Sequence, residues 1–317
     1  MALIQLRHTG RQMANAGSCF IALSIVACSG ARFSNATSDS NADNISQQNN
    51  GSLDGGTHPG SLSPTEDTAC GLARVDTAAK AVDVCIPHGQ FTMGSAAANL
   101  GGTFSDHSPP HSVTLSAYFI DAYEVTVARF RACVQAGACD LPSTTGTGCT
   151  FNAQPGSADS LPVNCILYSS AAAFCNWDGG RRLPTEAEWE RAARGTGASN
   201  YPWGDTFACD HAVVAASTSC PNYDPKLPAP VGKLQPGASV EGVYDLIGNV
   251  AEWVSDWVGS YPRTDVTDPT GSTTGTQRVV RGGDWLFPTT QIMAYLRRSS
   301  MPTNAGTLGF RCVRDAG

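Results

Sequence analysis

Val113, Leu115, Ala117 and Phe119 alternate with mostly polar neighbours, a period of two that predicts a half-buried strand. A helical period follows. Val127, Phe130 and Val134 share one face of a predicted helix, with Thr126 placed to cap it. Two further helices are predicted between positions 161 and 195. The first carries Ala172, Ala173, Phe174 and Trp177 behind a cap at Ser169 or Ser170, and it stops at Asp178-Gly179-Gly180. The second opens at Thr185, which with Glu188 has the spacing of a capping box. Trp189, Ala192 and Ala193 form its apolar stripe. Glu186 suits the positive end of its dipole, Arg191 and Arg194 the negative end, and Gly195 supplies a left-handed stop. Its charges read as groups that cap and solvate a helix. After Gly195 the chain becomes turn-rich and punctuated by aromatic residues, with no internal repeat.

One late stretch is ambiguous. In "YDLIGNVAEWVSDW" (Tyr244–Trp257), Asp245, Asn249, Glu252 and Asp256 alternate with Leu246, Ile247, Val250, Trp253, Val254 and Trp257. The acids are either the wet side of an amphipathic turn and helix or the oxygen donors of a cation site. In both readings Asp256 faces water.

Composition narrows the class. Charged residues make up 15%, with 33 Gly and 19 Pro, so a loop-rich mixed α/β chain is expected rather than a helical bundle. The net charge of −7, with no basic run, argues against nucleic acid and against an electrostatic grip on anionic membrane. Twelve cysteines without a single C-x-x-C point to disulfides and an oxidising compartment rather than to zinc. Six histidines form no metal-ligand run; His107 and His111 are separated by Pro109 and Pro110, and His111 opens the predicted strand.

The N-terminus agrees. Arg7, His8 and Arg11 precede an apolar stretch, Ser18 to Cys28, too short to span a bilayer and laid out as a signal peptide. "IVAC" (Ile25–Cys28) resembles a bacterial lipobox, which makes Cys28 the lipidation site; an ordinary signal peptide cut nearby is the alternative, and Met13 is a second candidate start. Removal of Cys19 and acylation of Cys28 leave ten cysteines, an even number. The expected organisation is a signal peptide with lipobox over 1–28, a disordered tether over 29–75 rich in Ser, Asn, Gly and Asp, and a folded domain over 76–317. The protein is then extracytoplasmic, in a bacterial cell envelope or secreted, and its first partner is a membrane reached through a lipid anchor.

Seven blocks carry a family resemblance: "GQFTMGS", "HSVTLSAYFIDAYEVTVARF", "LPVNCILYSSAAAFCNWDGGRRLPTEAEWERAARG", "YPWGD", "VYDLIGNVAEWVSDW", "RVVRGGDW" and "LGFRCVR". In this order and spacing the chain resembles the formylglycine-generating enzyme, or sulfatase-modifying factor, family from Cys85 to Arg314. The resemblance implies an α+β, C-type-lectin-like fold, loop-rich and tied by disulfides. It also implies structural calcium held by the side chains of Asp245 and Glu252 and the carbonyls of Gly248 and Val250, a hard oxygen set.

The oxidase members hold Cu(I) between two cysteines shortly after the "RGG" block. Here no cysteine lies between Gly283 and Cys312; Phe287 and Ile292 occupy the corresponding places, and neither binds copper. No catalytic residue is therefore assigned and no copper is expected. Two classes remain open. One is a non-catalytic ligand-binding or accessory module, with Trp203, Asp284, Trp285, Tyr295, Arg297 and Arg298 lining an aromatic and basic cleft for a peptide, glycan or small molecule. The other is an oxidoreductase of the same family using an unrecognised site, with Asp284 a candidate. Trp203 and Trp285 are equally readable as core.

Overall fold

The computed structural model describes residue 70 and residues 74–76, 81–101, 104–215, 227–303 and 306–316. All lie within one compact unit, Gly60–Gly317. The signal peptide, Cys28 and most of the tether lie outside the described residues. Among those described, no helix is long and apolar enough to cross a membrane.

In chain order the elements are β1 (Val75–Asp76), β2 (Ala81–Ile86), β3 (Gly89–Met93), β4 (Phe104–Ser105), β5 (His111–Leu115), β6 (Tyr118–Asp121), α1 (Val127–Gln135), α2 (Tyr168–Trp177), α3 (Glu186–Arg194), β7 (Ala251–Trp257), β8 (Val266–Thr267), β9 (Arg278–Arg281), β10 (Arg297–Ser300), β11 (Leu308–Gly309) and β12 (Val313–Asp315). They build three small sheets, ordered β1-β2-β6-β12, β11-β7-β9-β10-β4 and β3-β5-β8. The long stretches between them are loop. The helices, mixed sheets and disulfides agree with the expected fold class.

The strand predicted over 113–119 is two strands in different sheets. β5 keeps the alternation, burying His111, Val113 and Leu115. The chain then breaks at Ser116-Ala117, and β6 is buried on both faces: Tyr118 and Ile120 enter the main core, while Arg314 covers Phe119 and Arg129 and Arg181 hold Asp121.

α1 begins as expected, with the Thr126 hydroxyl accepting from the Arg129 N–H. α3 has the full capping box: Thr185 accepts from the Glu188 N–H, and Glu188 reaches back to the Thr185 N–H. Two details differ. α2 starts at Tyr168 after Leu167, with no side-chain cap, so neither Ser169 nor Ser170 serves. Gly195 has φ 61° but ψ −146°, outside the left-handed helical well.

The charges of α3 are not solvated. Every residue of the helix is buried. Trp189, Ala192 and Ala193 pack into the main core with Ile120, Leu246 and Val254. A second core joins Phe130, Phe174, Trp253 and Phe310.

The helical reading of 244–257 is also overturned. Ala251–Trp257 is a central strand, β7, antiparallel to β9 and parallel to β11. Neighbours cover both of its faces, so the two-residue period is masked and the acid spacing mimics a helix.

Disulfides join Cys70–Cys85, Cys133–Cys139, Cys149–Cys165 and Cys175–Cys312, and Cys209 is also disulfide-bonded. The Cys133–Cys139 bridge pins the loop after α1. Cys70 and Arg74, which reaches Asp178 at 3.0 Å, tie chain ahead of position 76 to the domain.

Candidate ligand-binding site

β9 runs into Gly282-Gly283, and the chain returns as β10, pairing Arg298 with Val280. Both glycines have positive φ, 85° and 73°. The second is required by crowding as well: a Cβ on Gly283 would lie 2.7 Å from Ile292 Cγ2 and 3.8 Å from Phe287 Cβ. Phe287 and Ile292 thus meet over one glycine. The positions matched to the copper-binding pair are neighbours in space, and both present hydrocarbon. Every described cysteine is disulfide-bonded.

Beside this turn lies a cavity of about 340 Å³ between β9, β10 and the segment Gly306–Leu308. Val280, Leu286, Phe287 and Leu308 make its apolar wall; Asp284, Arg298 and Thr307 are among its polar groups. The Asp284 carboxylate accepts from the Leu286 N–H at 2.9 Å and from the Thr307 hydroxyl. Burial raises its pKa above the ordinary aspartate value. The Arg298 guanidinium lies 3.9 Å over the Phe287 ring. Its Nε and Nη1 are buried without a hydrogen-bond partner.

The six expected cleft residues do not form one cleft. Only Asp284 and Arg298 line this cavity. Trp203 stacks on Tyr201 at 5.2 Å and 7° and donates from its indole N–H to Thr206 O. Trp285 is core, packed with Val213, Ala229 and Val250. Tyr295 is buried against His107 and Arg194. Arg297 is consumed by Glu186, which it contacts twice at 2.7 Å. Large rings and a neutralised guanidinium are cheaper inside than at a wet surface, and the packing takes them.

The turn assigned to calcium has unusual backbone. Asp245, Gly248 and Asn249 have φ of 59°, 78° and 55°. Asp245 accepts from the Gly232 N–H at 2.6 Å. Glu252 is buried, and both its oxygens hold Arg311, at 2.7 and 2.8 Å, with the Trp189 indole N–H at 2.9 Å. Its carboxylate is thus already engaged by a cation, and the expected ligand set is qualified on that point.

Sequence reasoning missed Glu124, which is buried and accepts from the Val250 N–H and the Asn249 side chain. Burial first, then Asp245 and Glu252, push its pKa well above the carboxylate range. Glu124, Asp245 and Glu252 thus gather around Arg311. Among the described residues no three His, Cys, Asp or Glu side chains converge as a metal cage. A cation here would therefore draw on the Gly248 and Val250 carbonyls beside Asp245.

A buried ionic cluster underlies α3. Glu186 holds Arg281 and Arg297, while Glu190 holds Arg281 and Arg194. Asp256, expected to be solvated, joins it: the residue is 4% exposed, and its carboxylate accepts from the Glu186 N–H at 2.8 Å. Burial and the neighbouring Glu186 charge push its pKa up to about 7. With Tyr261 and His111 it borders a second cavity of about 440 Å³. Glu124 and Asp256 left no signal in sequence, because single acids beside apolar runs read as surface.

The sulfatase-modifying factor enzyme 1-like domain model matches residues 72–316, and the chain belongs to that family. It is 32% identical over 288 residues to a formylglycine-generating enzyme of Streptomyces coelicolor, covering 74% of this chain and 89% of the relative. It is 29% identical over 256 residues to hercynine oxygenase of Mycolicibacterium smegmatis, covering 70% of this chain and 58% of that one. Among solved structures it is similar to PvdO of Pseudomonas aeruginosa, at 25% identity and a TM-score of 0.61, covering 74% of this chain and 94% of PvdO.

Proposed function

We propose that this chain is an extracytoplasmic lipoprotein whose formylglycine-generating-enzyme-like domain is a non-catalytic ligand-binding or accessory module. One observation carries the reading: Phe287 and Ile292 meet over Gly283 where a thiolate pair would stand, and every described cysteine is oxidised. Soft sulfur donors are what retain Cu(I), and hydrocarbon supplies none. The cavity beside that turn is the binding site in this reading. Its ligand is a peptide, a glycan or a small molecule.

The alternative is an oxidoreductase built on another group in the same cavity, and it rests on the raised pKa of Asp284. An anaerobic Cu(I) titration of the purified protein against a competing chelator tests the main reading. No tight equivalent is expected. One equivalent that survives blocking of free thiols would sink the proposal.

The anchor belongs to the same proposal. Cys28 carries the lipid, and a structural calcium ion sits at Asp245 with the Gly248 and Val250 carbonyls. Labelling cells with a fatty-acid analogue should tag the protein, and Cys28→Ser should abolish the tag; undiminished labelling of the variant removes the anchor from the proposal.

A further inference from the structure

Arginines are plentiful in this domain, and most are spoken for. Arg281, Arg297 and Arg311 each hold a buried carboxylate. Arg298 differs. No carboxylate lies within ion-pair distance among the described residues, and its side chain makes no hydrogen bond there. Nε and Nη1 are nevertheless shielded from water. A desolvated guanidinium without a partner is costly unless something completes it.

Its surroundings say what that is. The Arg298 guanidinium carbon stands 3.9 Å from the centre of the Phe287 ring, which offers it no acceptor oxygen. Arg298 also lines the cavity, so the cavity is where an acceptor can reach it. The cavity beside it is about 340 Å³, the size of a small ligand or of one side chain of a larger one. Leu286, Phe287 and Leu308 give it an apolar wall.

The other charged group, Asp284, has its oxygens occupied by the Leu286 N–H and the Thr307 hydroxyl. It forms no ion pair with Arg298, and burial favours its neutral form. The balance of charge offered to an incoming group is positive. A guanidinium bordering an apolar chamber suits a carboxylate better than a hydroxyl, because a charge-assisted hydrogen bond is the stronger one.

We propose that this cavity is an anion subsite which takes a carboxylate borne on an apolar or aromatic body, with Arg298 as the binding residue. This rests on the reading of the cavity as a ligand site and adds the chemical class of what it holds. Phenylacetate and its neutral isostere phenylacetamide are the probes, titrated by ligand-observed NMR against the disulfide-bonded protein at neutral pH. Phenylacetate should bind at least tenfold tighter than the amide. Arg298→Met should abolish that preference. Asp284→Asn, which keeps an acceptor for the Leu286 N–H and is neutral like the buried acid, should leave that preference intact.

Equal binding of the two probes would overturn the anion subsite while leaving the cavity a ligand site. Binding of neither would also overturn it. The copper titration reads the parent reading separately, since it does not depend on Arg298. Should Arg298→Met fail to fold, the preference measured on the unmodified protein and on Asp284→Asn still decides.

Discussion

Asp256 holds its proton up to near neutral pH because the fold gives its charge little solvent and a bad neighbour. Burial is the larger cause and the Glu186 carboxylate the second, with Arg297 opposing them. His111, Tyr261 and Arg297 are the other ionisable groups bordering its cavity. The pKa rises from 3.8 to about 7, so between those values the folded state binds more protons than the unfolded one. Stability from this group is complete below about pH 4, falls as pH rises through the window, and is lost above about 7. Asp256→Asn keeps an acceptor for the Glu186 N–H and cannot ionise. It should stabilise the protein at pH 8 by roughly 2–4 kcal/mol and change little at pH 4. Urea melts at the two pH values check this; an equal effect at both would show that Asp256 is not held protonated.

At the scale of elements, legibility followed the range of the forces involved. The capping box of Thr185 and Glu188 and the cap at Thr126 were readable because the donor, acceptor and backbone they satisfy lie within one turn. β7 was not, because the evidence that it is a strand sits in β9 and β11 rather than in its own residues. The charges of α3 failed for the same reason. Glu186, Glu190 and Arg194 look like a solvated face until Arg281 and Arg297 arrive from β9 and β10 to neutralise them. The site divides along the same line. Motif spacing singled out Phe287 and Ile292, and the fold brings both against Gly283. Which of the expected side chains line the cavity beside Gly283 depends on packing that no local pattern records, and of the six only Asp284 and Arg298 do.

Across the whole molecule, distant segments meet around Arg311. Glu124 follows β6, Asp245 precedes β7, Glu252 lies in it, and Arg311 comes from the chain just before β12. Arg311 donates to Glu252 and also to the carbonyls of Asp121 and Tyr244, so a single guanidinium ties these segments together. Burial and the neighbouring Asp245 and Glu252 favour the neutral form of Glu124. A dication bound at Asp245 and the Gly248 and Val250 carbonyls would find the hard oxygens calcium prefers. Because such an ion binds only the folded chain, its removal should register as stability. At 100 times its dissociation constant the ion contributes about 2.7 kcal/mol, or a melting shift of about 5–10 °C for a domain of this size. Melting in excess chelator and again after calcium is restored should therefore differ by that much, and Asp245→Ala should melt at one temperature in both. Identical curves for the unmodified protein would mean that Arg311 and a protonated Glu124 alone hold these segments together, with no ion at the turn.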